Sequence, residues 1–431
     1  MLETKLHIIH THASRENVGD DAIVIAIQRL LKQAFPSNDI SYTCIASDNR
    51  SRPGENVTGY LPISKIYRPS QWKALTNSIK KCDLIVIGGG ELICGAPEYL
   101  MLLPLAKLYS VPVIFLGVGA DINRISFLPK LYTAKTLNLA NKYLVRDQKA
   151  EDIILSFNVP SKKIETTADV VFSLMPDEQN QSAKSGIGIC LRSTQRLDRA
   201  LTQERLKTLA EYLNSLISEK NTSIHLFPFI PYATDLNGKK SDIDNDFMFG
   251  LPYSDEAIMD QLYNLIERKE CVVKHPPLMH PEEIIKIFSE LDMVISMRLH
   301  ALILSALAGT KFIAVDYADK IGRVMDELNA SKRVIPIDTL DTMETLSNEV
   351  NRISDISFDE VNSSLKKLNN LSLLNSTRVA EVYKQDQKKN KKKSPHLIYP
   401  FLIFNYWFIY LMKTKNPLIL FISKMKKNIM G

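Results

Sequence analysis

Cysteine is scarce: five occur in 431 residues, at positions 44, 82, 94, 190 and 271. None has the spacing of a zinc site, and five are too scattered to make a disulfide framework. They are expected to be small buried hydrophobes in a reducing compartment. The opening MLETKLHIIHTHASRENVGDD lacks a basic segment followed by a long apolar one, so no secretory leader is expected and the protein is placed in the cytoplasm. A run long enough to span a bilayer is also lacking. The apolar segment LIYPFLIFNYWFIYLM at 397–412 is sixteen residues, interrupted by Pro400 and Asn405, against the roughly 20 that a spanning helix needs. The glycine run GGGELI at 88–93 is not GxGxxG and lacks the Lys-Ser/Thr of a phosphate loop. No cluster of acids suggests a bound metal, and none is expected.

What is present belongs to a large globular protein: 45% hydrophobic and 24% charged residues, enough for two domains with substantial cores. The formal charge is +6, but residues 384–431 hold eleven lysines against one aspartate, so residues 1–383 carry −4. A slightly acidic body argues against a nucleic-acid groove, while the basic tail suits an anionic surface. With KKNKKK at 388–393 and the aromatic run behind it, this tail is expected to lie in the headgroup region at the inner face of the membrane. A short spanning anchor and a helix docked on protein are the competing readings.

From residue 5 onward, β-branched runs alternate with helical stretches. KLHIIHTH, ISYTCIAS, DLIVIGGG, VPVIFLGVG, KYLVRD and ADVVFSL read as strands, with helices over 19–35, 70–81, 127–140 and 147–156. Strands that are apolar almost throughout point to a parallel sheet covered on both faces. The polar MPDEQNQSAKSG at 175–186 breaks the pattern and reads as a linker. A second alternation follows, with strands in GIGICLRS, SIHLFPFI, ECVVKHPP, MVISMRLH, KFIAVDY and RVIPID. The expected fold is α/β: two Rossmann-like, doubly wound domains over 1–176 and 186–340 facing a cleft, closing helices over 341–383, and the tail over 384–431.

Candidate working residues follow from where strands end. A parallel strand buried on both faces has no place for an arginine until it emerges, so Arg192 in ICLRS, His275 in VVKHP, and Arg298 with His300 in SMRLH should mark carboxyl ends, where such sheets bind ligands. Strand alternation would put Arg298 and His300 on one side, with Leu299 turned into the sheet. A guanidinium beside an imidazole can bind a carboxylate or phosphate and move a proton. In the plainer reading Arg298 pairs with a carboxylate and His300 caps the next helix. In NVGDDA, Asn17 can bond the turn, Gly19 can let the backbone approach a ligand, and Asp20 and Asp21 lie at the positive end of a helix dipole. An ordinary helix cap would look the same. Gly89 and Gly90 permit a tight turn close to a ligand or simply tight packing.

These motifs, in this order over about residues 8–330, resemble the polysaccharide pyruvyl transferases. NVGDDA stands for the family's N-x-G-D-E-A, followed by DLIVIGGGELI, GVG, VRD and ADVVF, and in the second half by MRLHALILSALAG and VDYADK. Asp21 replaces the usual Glu, and Glu91 follows the glycines where a small residue is common. The resemblance implies a GT-B-like fold with the acceptor on the first domain and the donor on the second. It also implies transfer of a pyruvyl group from phosphoenolpyruvate, as co-substrate with no other cofactor, to two hydroxyls of a glycan or lipid-linked saccharide. Arg298 and His300 would then sit at the donor site and Arg192 would be a second clamp. His300 is expected to protonate the enol carbon or assist phosphate loss, Asp20 is a candidate base, and Tyr317 and Lys320 are candidate substrate contacts. Two rival functions remain: a nucleotide-sugar glycosyltransferase, with Asp316 or Glu327 toward a ribose, and a non-catalytic, membrane-tethered assembly subunit.

Overall fold

The computed structural model describes residues 4–11, 17–46, 55–62, 69–93, 100, 102–122, 133–134, 136–177, 184–192, 200–232, 254–317 and 319–388. By their contacts these fall into two units, one made of residues up to 14, 27–170 and from 373 on, the other of 15–26 and 171–372.

In the first unit, seven parallel strands, β1 (Thr4–Thr11), β2 (Asn38–Ala46), β3 (Val57–Pro62), β4 (Leu84–Gly88), β5 (Val113–Val118), β6 (Lys142–Val145) and β7 (Ile164–Thr166), are ordered β3-β2-β1-β4-β5-β6-β7. The helices α1 (Val18–Ala34, of which the part from Ile27 on belongs to this unit), α2 (Pro69–Lys81), α3 (Leu102–Tyr109) and α4 (Gln148–Ser156) connect them. Strands β4 and β5 are buried at every position, as a parallel sheet covered on both faces demands. The order of strands reverses between β1 and β4, and there the Thr11 hydroxyl accepts the Gly88 N–H at 3.1 Å.

The second unit holds a six-stranded parallel sheet of β8 (Ile187–Cys190), β9 (Ile224–Leu226), β10 (Val272–Lys274), β11 (Met293–Ser296), β12 (Lys311–Asp316) and β13 (Val334–Pro336), ordered β10-β9-β8-β11-β12-β13. Its helices are α5 (Gln203–Lys220), α6 (Asp255–Leu265), α7 (Pro281–Ser289), α8 (Leu299–Leu307), α9 (Asp319–Glu327) and α10 (Met343–Ser354), followed by α11 (Asp359–Gln387), whose residues from Leu373 on belong to the first unit. Local chemistry sets the helix ends. Thr202 and Ser254 accept the Arg205 and Ala257 amides at the starts of α5 and α6, and Asn221 ends α5 at φ 49°. Helix α8 is apolar nearly all round, with Leu299 and every residue from Ala301 to Leu307 buried, which places it in the core rather than at the surface. Each large side chain there contributes about 1.5–3 kcal/mol of burial.

The two-sheet α/β reading is observed, with local differences. ADVVFSL is not a strand. Residues Val170–Leu174 form a 3-10 helix and the edge position is taken by β7. A short, almost wholly apolar run reports burial, not period, and Val170, Val171 and Phe172 are indeed fully buried. The strand in ECVVKHPP lies at the sheet edge with Val273 and Lys274 exposed. Cys44, Cys82 and Cys190 are buried and Cys271 is half-buried, with burial pushing the Cys44 thiol up to about 12. Among the described residues no helix is long and apolar enough to cross a membrane. The 397–412 segment, and with it the expected interfacial element, lies outside the described residues, as does Cys94.

Candidate active site

The second sheet reverses its order between β8 and β11, the place where open α/β sheets bind ligands. Cys190 and Ser296 are register partners at the ends of these strands, and the Met297 amide donates to the Cys190 carbonyl at 2.8 Å. Arg192 and Arg298 therefore leave the sheet at equivalent positions, two residues beyond paired strand ends. Arg298 is buried, and its amide donates to the Ser296 hydroxyl at 2.8 Å. It is the residue before α8, with φ −100° and ψ 118°, while Leu299 and His300 are already helical.

This corrects the expectation of an extended Arg298-Leu299-His300 segment. The strand stops at Ser296, so alternation does not relate the two side chains, and helical geometry sets His300 instead. Nor does His300 cap α8, since Arg298 holds the cap position.

Arg298 donates through Nη2 to Asp255 Oδ1. Asp255, the first residue of α6, is fully buried, and its Oδ2 accepts the amides of Phe229 and Ile230, each at 3.2 Å. Burial pushes the Asp255 carboxyl up, and the charges of Arg298 and Arg192 with the Phe229 amide oppose that shift. The Phe229 carbonyl in turn accepts the Val18 amide at 3.1 Å. Beside it, Gly19 lies against the imidazole of His300. A Cβ built at position 19 would overlap His300 Nδ1 and stand 3.0 Å from its Cγ. The glycine is required by close approach, and what approaches is a protein side chain.

Arg192 donates through Nη1 to the Tyr317 hydroxyl at 2.7 Å, with its guanidinium carbon 4.7 Å from the ring centroid. The Lys320 ammonium lies 5.8 Å from the same ring. Burial lowers the Arg192 pKa, and the positive charge of Arg298 lowers it further, against Tyr317 and Asp255. Arg298 thus pairs with a buried aspartate, while Arg192 and Lys320 both lie against Tyr317, so cationic groups outnumber the acid. Such an excess of cationic donors suits an anion.

The other predicted residues divide between local and distant roles. Asn17 closes α1: its Oδ1 accepts the Gly19 amide at 3.0 Å, its carbonyl accepts those of Asp20 and Asp21, and its Nδ2 donates to Asp20 at 3.3 Å. That is the work of a helix cap. Gly89 and Gly90, with φ of 68° and 66°, belong to the first unit and are not part of the Arg298 cluster. Gly89 donates to the Leu116 carbonyl and Gly90 accepts from Gly119, both at 2.8 Å. The same loops meet at Arg146. This buried guanidinium lies 3.5 Å from Glu91, 3.4 Å from Asp147 and 3.5 Å from Asp169, and a Cβ at Gly119 would come within 2.8 Å of it. Glu91 therefore has a partner that accounts for an acid after the glycines. His275 does not join the second-unit arginines. Its Nε2 is 3.0 Å from His225 Nδ1, and its ring stacks on Phe227 at 4.1 Å between centroids.

Sequence reasoning missed Asp255. Its only signal is the Ser-Asp-Glu start of a helix, which most helices could carry, and its partner Arg298 is 43 residues away. Arg146 stood within a quoted motif without a role, since its acids are spread from residue 91 to residue 169.

A family model described as polysaccharide pyruvyl transferase matches residues 17–319, taking in Asn17, Gly19, Arg192, Arg298, His300 and Tyr317. No curated protein matches. Among solved structures the chain is similar to the S. aureus MnaA-UDP co-structure (TM-score 0.56, 11% identity, covering 90% of this chain and 99% of that one). It is also similar to UDP-GlcNAc 2-epimerase from Methanocaldococcus jannaschii (0.55, 12%, 82% and 94%) and to the Neisseria meningitidis enzyme bound to UDP-GlcNAc (0.54, 11%, 89% and 100%). At these identities the likeness is one of fold, and that fold is GT-B-like.

Proposed function

Because the chain belongs to the polysaccharide pyruvyl transferase family, we propose that this transferase moves a pyruvyl group from phosphoenolpyruvate to two hydroxyls of one sugar in a glycan or its lipid-linked precursor, forming a cyclic ketal. The observation that carries the reading is the pair of arginines at equivalent exits from β8 and β11, with Tyr317 bonded to Arg192, Lys320 over the Tyr317 ring, and Arg298 paired with the buried Asp255. Phosphoenolpyruvate brings a carboxylate and a phosphate, and this cluster has cationic donors for both.

In the proposed sequence, His300 as imidazolium protonates the methylene carbon. The cation that develops on the neighbouring carbon is held in the field of the site, and a sugar hydroxyl adds to it. The bond from that carbon to the phosphate oxygen then breaks, and the second hydroxyl closes the ketal. Of the two hydroxyl hydrogens, one balances the hydrogen gained by the new methyl group and the other leaves with phosphate. No electron is gained or lost overall, so phosphoenolpyruvate serves as co-substrate without a redox cofactor. Asp20 remains the candidate base toward the hydroxyl. The Lys-rich and aromatic residues 388–431 are proposed to bring the enzyme to anionic lipid at the inner face of the membrane.

Titration calorimetry tests the donor assignment. Saturable binding of phosphoenolpyruvate, weakened in Arg192→Ala, supports it. Binding of a nucleotide sugar with no response to phosphoenolpyruvate would replace it with the glycosyltransferase reading.

A further inference from the structure

We propose that Asp255 is a positioning residue that aligns both Arg298 and His300 through a single carboxylate. This rests on the reading of those two side chains given above. One oxygen of Asp255 receives the Arg298 guanidinium, and the other receives the amides of Phe229 and Ile230. The Ile230 carbonyl accepts the Glu256 amide at 3.1 Å, so this turn is tied to the start of α6 from both sides. The Phe229 carbonyl holds the Val18 amide, and the next residue, Gly19, forms the wall against the His300 imidazole. Displacing the carboxylate therefore loosens the guanidinium directly. It displaces the imidazole indirectly, through the 229–230 turn and the 18–19 backbone. A buried ion pair has little slack, since each partner left alone would be a buried charge.

Asparagine has the shape of aspartate but offers one acceptor oxygen instead of two. Its amide nitrogen must face either the guanidinium or the two backbone amides, setting donor against donor. Asp255→Asn is expected to lower kcat about a hundredfold, as a misplacement of reacting groups by about 1 Å can, and to raise the KM for phosphoenolpyruvate, because the loosened Arg298 is one of its cationic donors. A merely structural loss would reduce the folded fraction and leave the pH profile and KM of what remains unchanged.

The deciding measurement uses the full chain without substrate: the Cε1–H resonance of the His300 imidazole, assigned by its disappearance in His300→Gln. In Asp255→Asn this resonance should move while those of His225 and His275 stay in place. If Asp255→Asn does not fold, Asp255→Glu, which keeps the charge but shifts the carboxylate by one methylene, is read in the same way. An unmoved His300 resonance in a folded variant, or a kcat within threefold of wild type, would overturn the inference. Should wild type fail to use phosphoenolpyruvate, the functional reading falls, and the resonance still decides whether Asp255 places His300.

Discussion

Replacing Gly19 with alanine adds one methyl group, and the structure says where that group goes. A Cβ at this position overlaps Nδ1 of His300 and lies 3.0 Å from Cγ and 3.2 Å from Cβ of the same residue. The backbone of Gly19 is helical and not left-handed, so alanine strains nothing locally and should strengthen α1 by up to about 1 kcal/mol. To restore ordinary contact the imidazole must retreat by about 1 Å, and a displacement of that size costs on the order of a hundredfold in rate, or about 2.7 kcal/mol of transition-state stabilisation. The helix gain is set against the cost of displacing a packed ring, so the substitution should leave the protein folded with a cooperative melt while phosphate release from phosphoenolpyruvate falls about a hundredfold. Steady-state phosphate release beside a thermal melt makes the comparison. Turnover within a few-fold of wild type in a folded variant would refute the argument that His300 works where Gly19 holds it.

Removing Arg146 should act on stability. Arg146→Leu leaves Asp169, buried beside it, without its cation, and breaking a buried pair costs about 3–5 kcal/mol in a urea titration; a loss below about 1 kcal/mol would show the carboxylates solvated. Acid should weaken the second unit. Burial and the neighbouring His225 lower the His275 pKa from 6.5 to about 4, and burial lowers that of His225 as well. The unfolded chain then binds more protons, so stability falls as pH drops from about 6.5 through about 4. His275→Gln should flatten that part of the melting profile, and an unchanged slope would reject the assignment. Deleting residues 389–431 should abolish co-sedimentation with vesicles containing anionic lipid while leaving the melting temperature unchanged; retained sedimentation would move the membrane contact to the body of the chain.

Much of this arrangement was legible because parallel sheets impose strong rules. Arg192 and Arg298 could be marked from the sequence, since neither can lie inside a strand buried on both faces, and the structure has them at paired exits from β8 and β11. The neighbouring inference failed because it carried the strand four residues too far, to His300: β11 ends at Ser296, whose hydroxyl accepts the Arg298 amide, and α8 starts at Leu299. ADVVFSL shows the same limit, an apolar run whose burial was readable and whose conformation was not. Asp255 was illegible for another reason. Nothing near it in the chain shows that its carboxylate meets Arg298, because that pairing exists only once β11 and α6 are folded together. Gly19 was noticed for its freedom of approach, but that its neighbour is His300 follows only from the packing.

The account's central claim is the reaction itself. Purified enzyme incubated with phosphoenolpyruvate and lipid-linked glycans should release one phosphate for each glycan that gains the mass of a pyruvyl ketal, and His300→Ala should abolish both signals while remaining folded. Release of phosphate without a mass gain, transfer of sugar from a nucleotide sugar instead, or full activity in His300→Ala would contradict it.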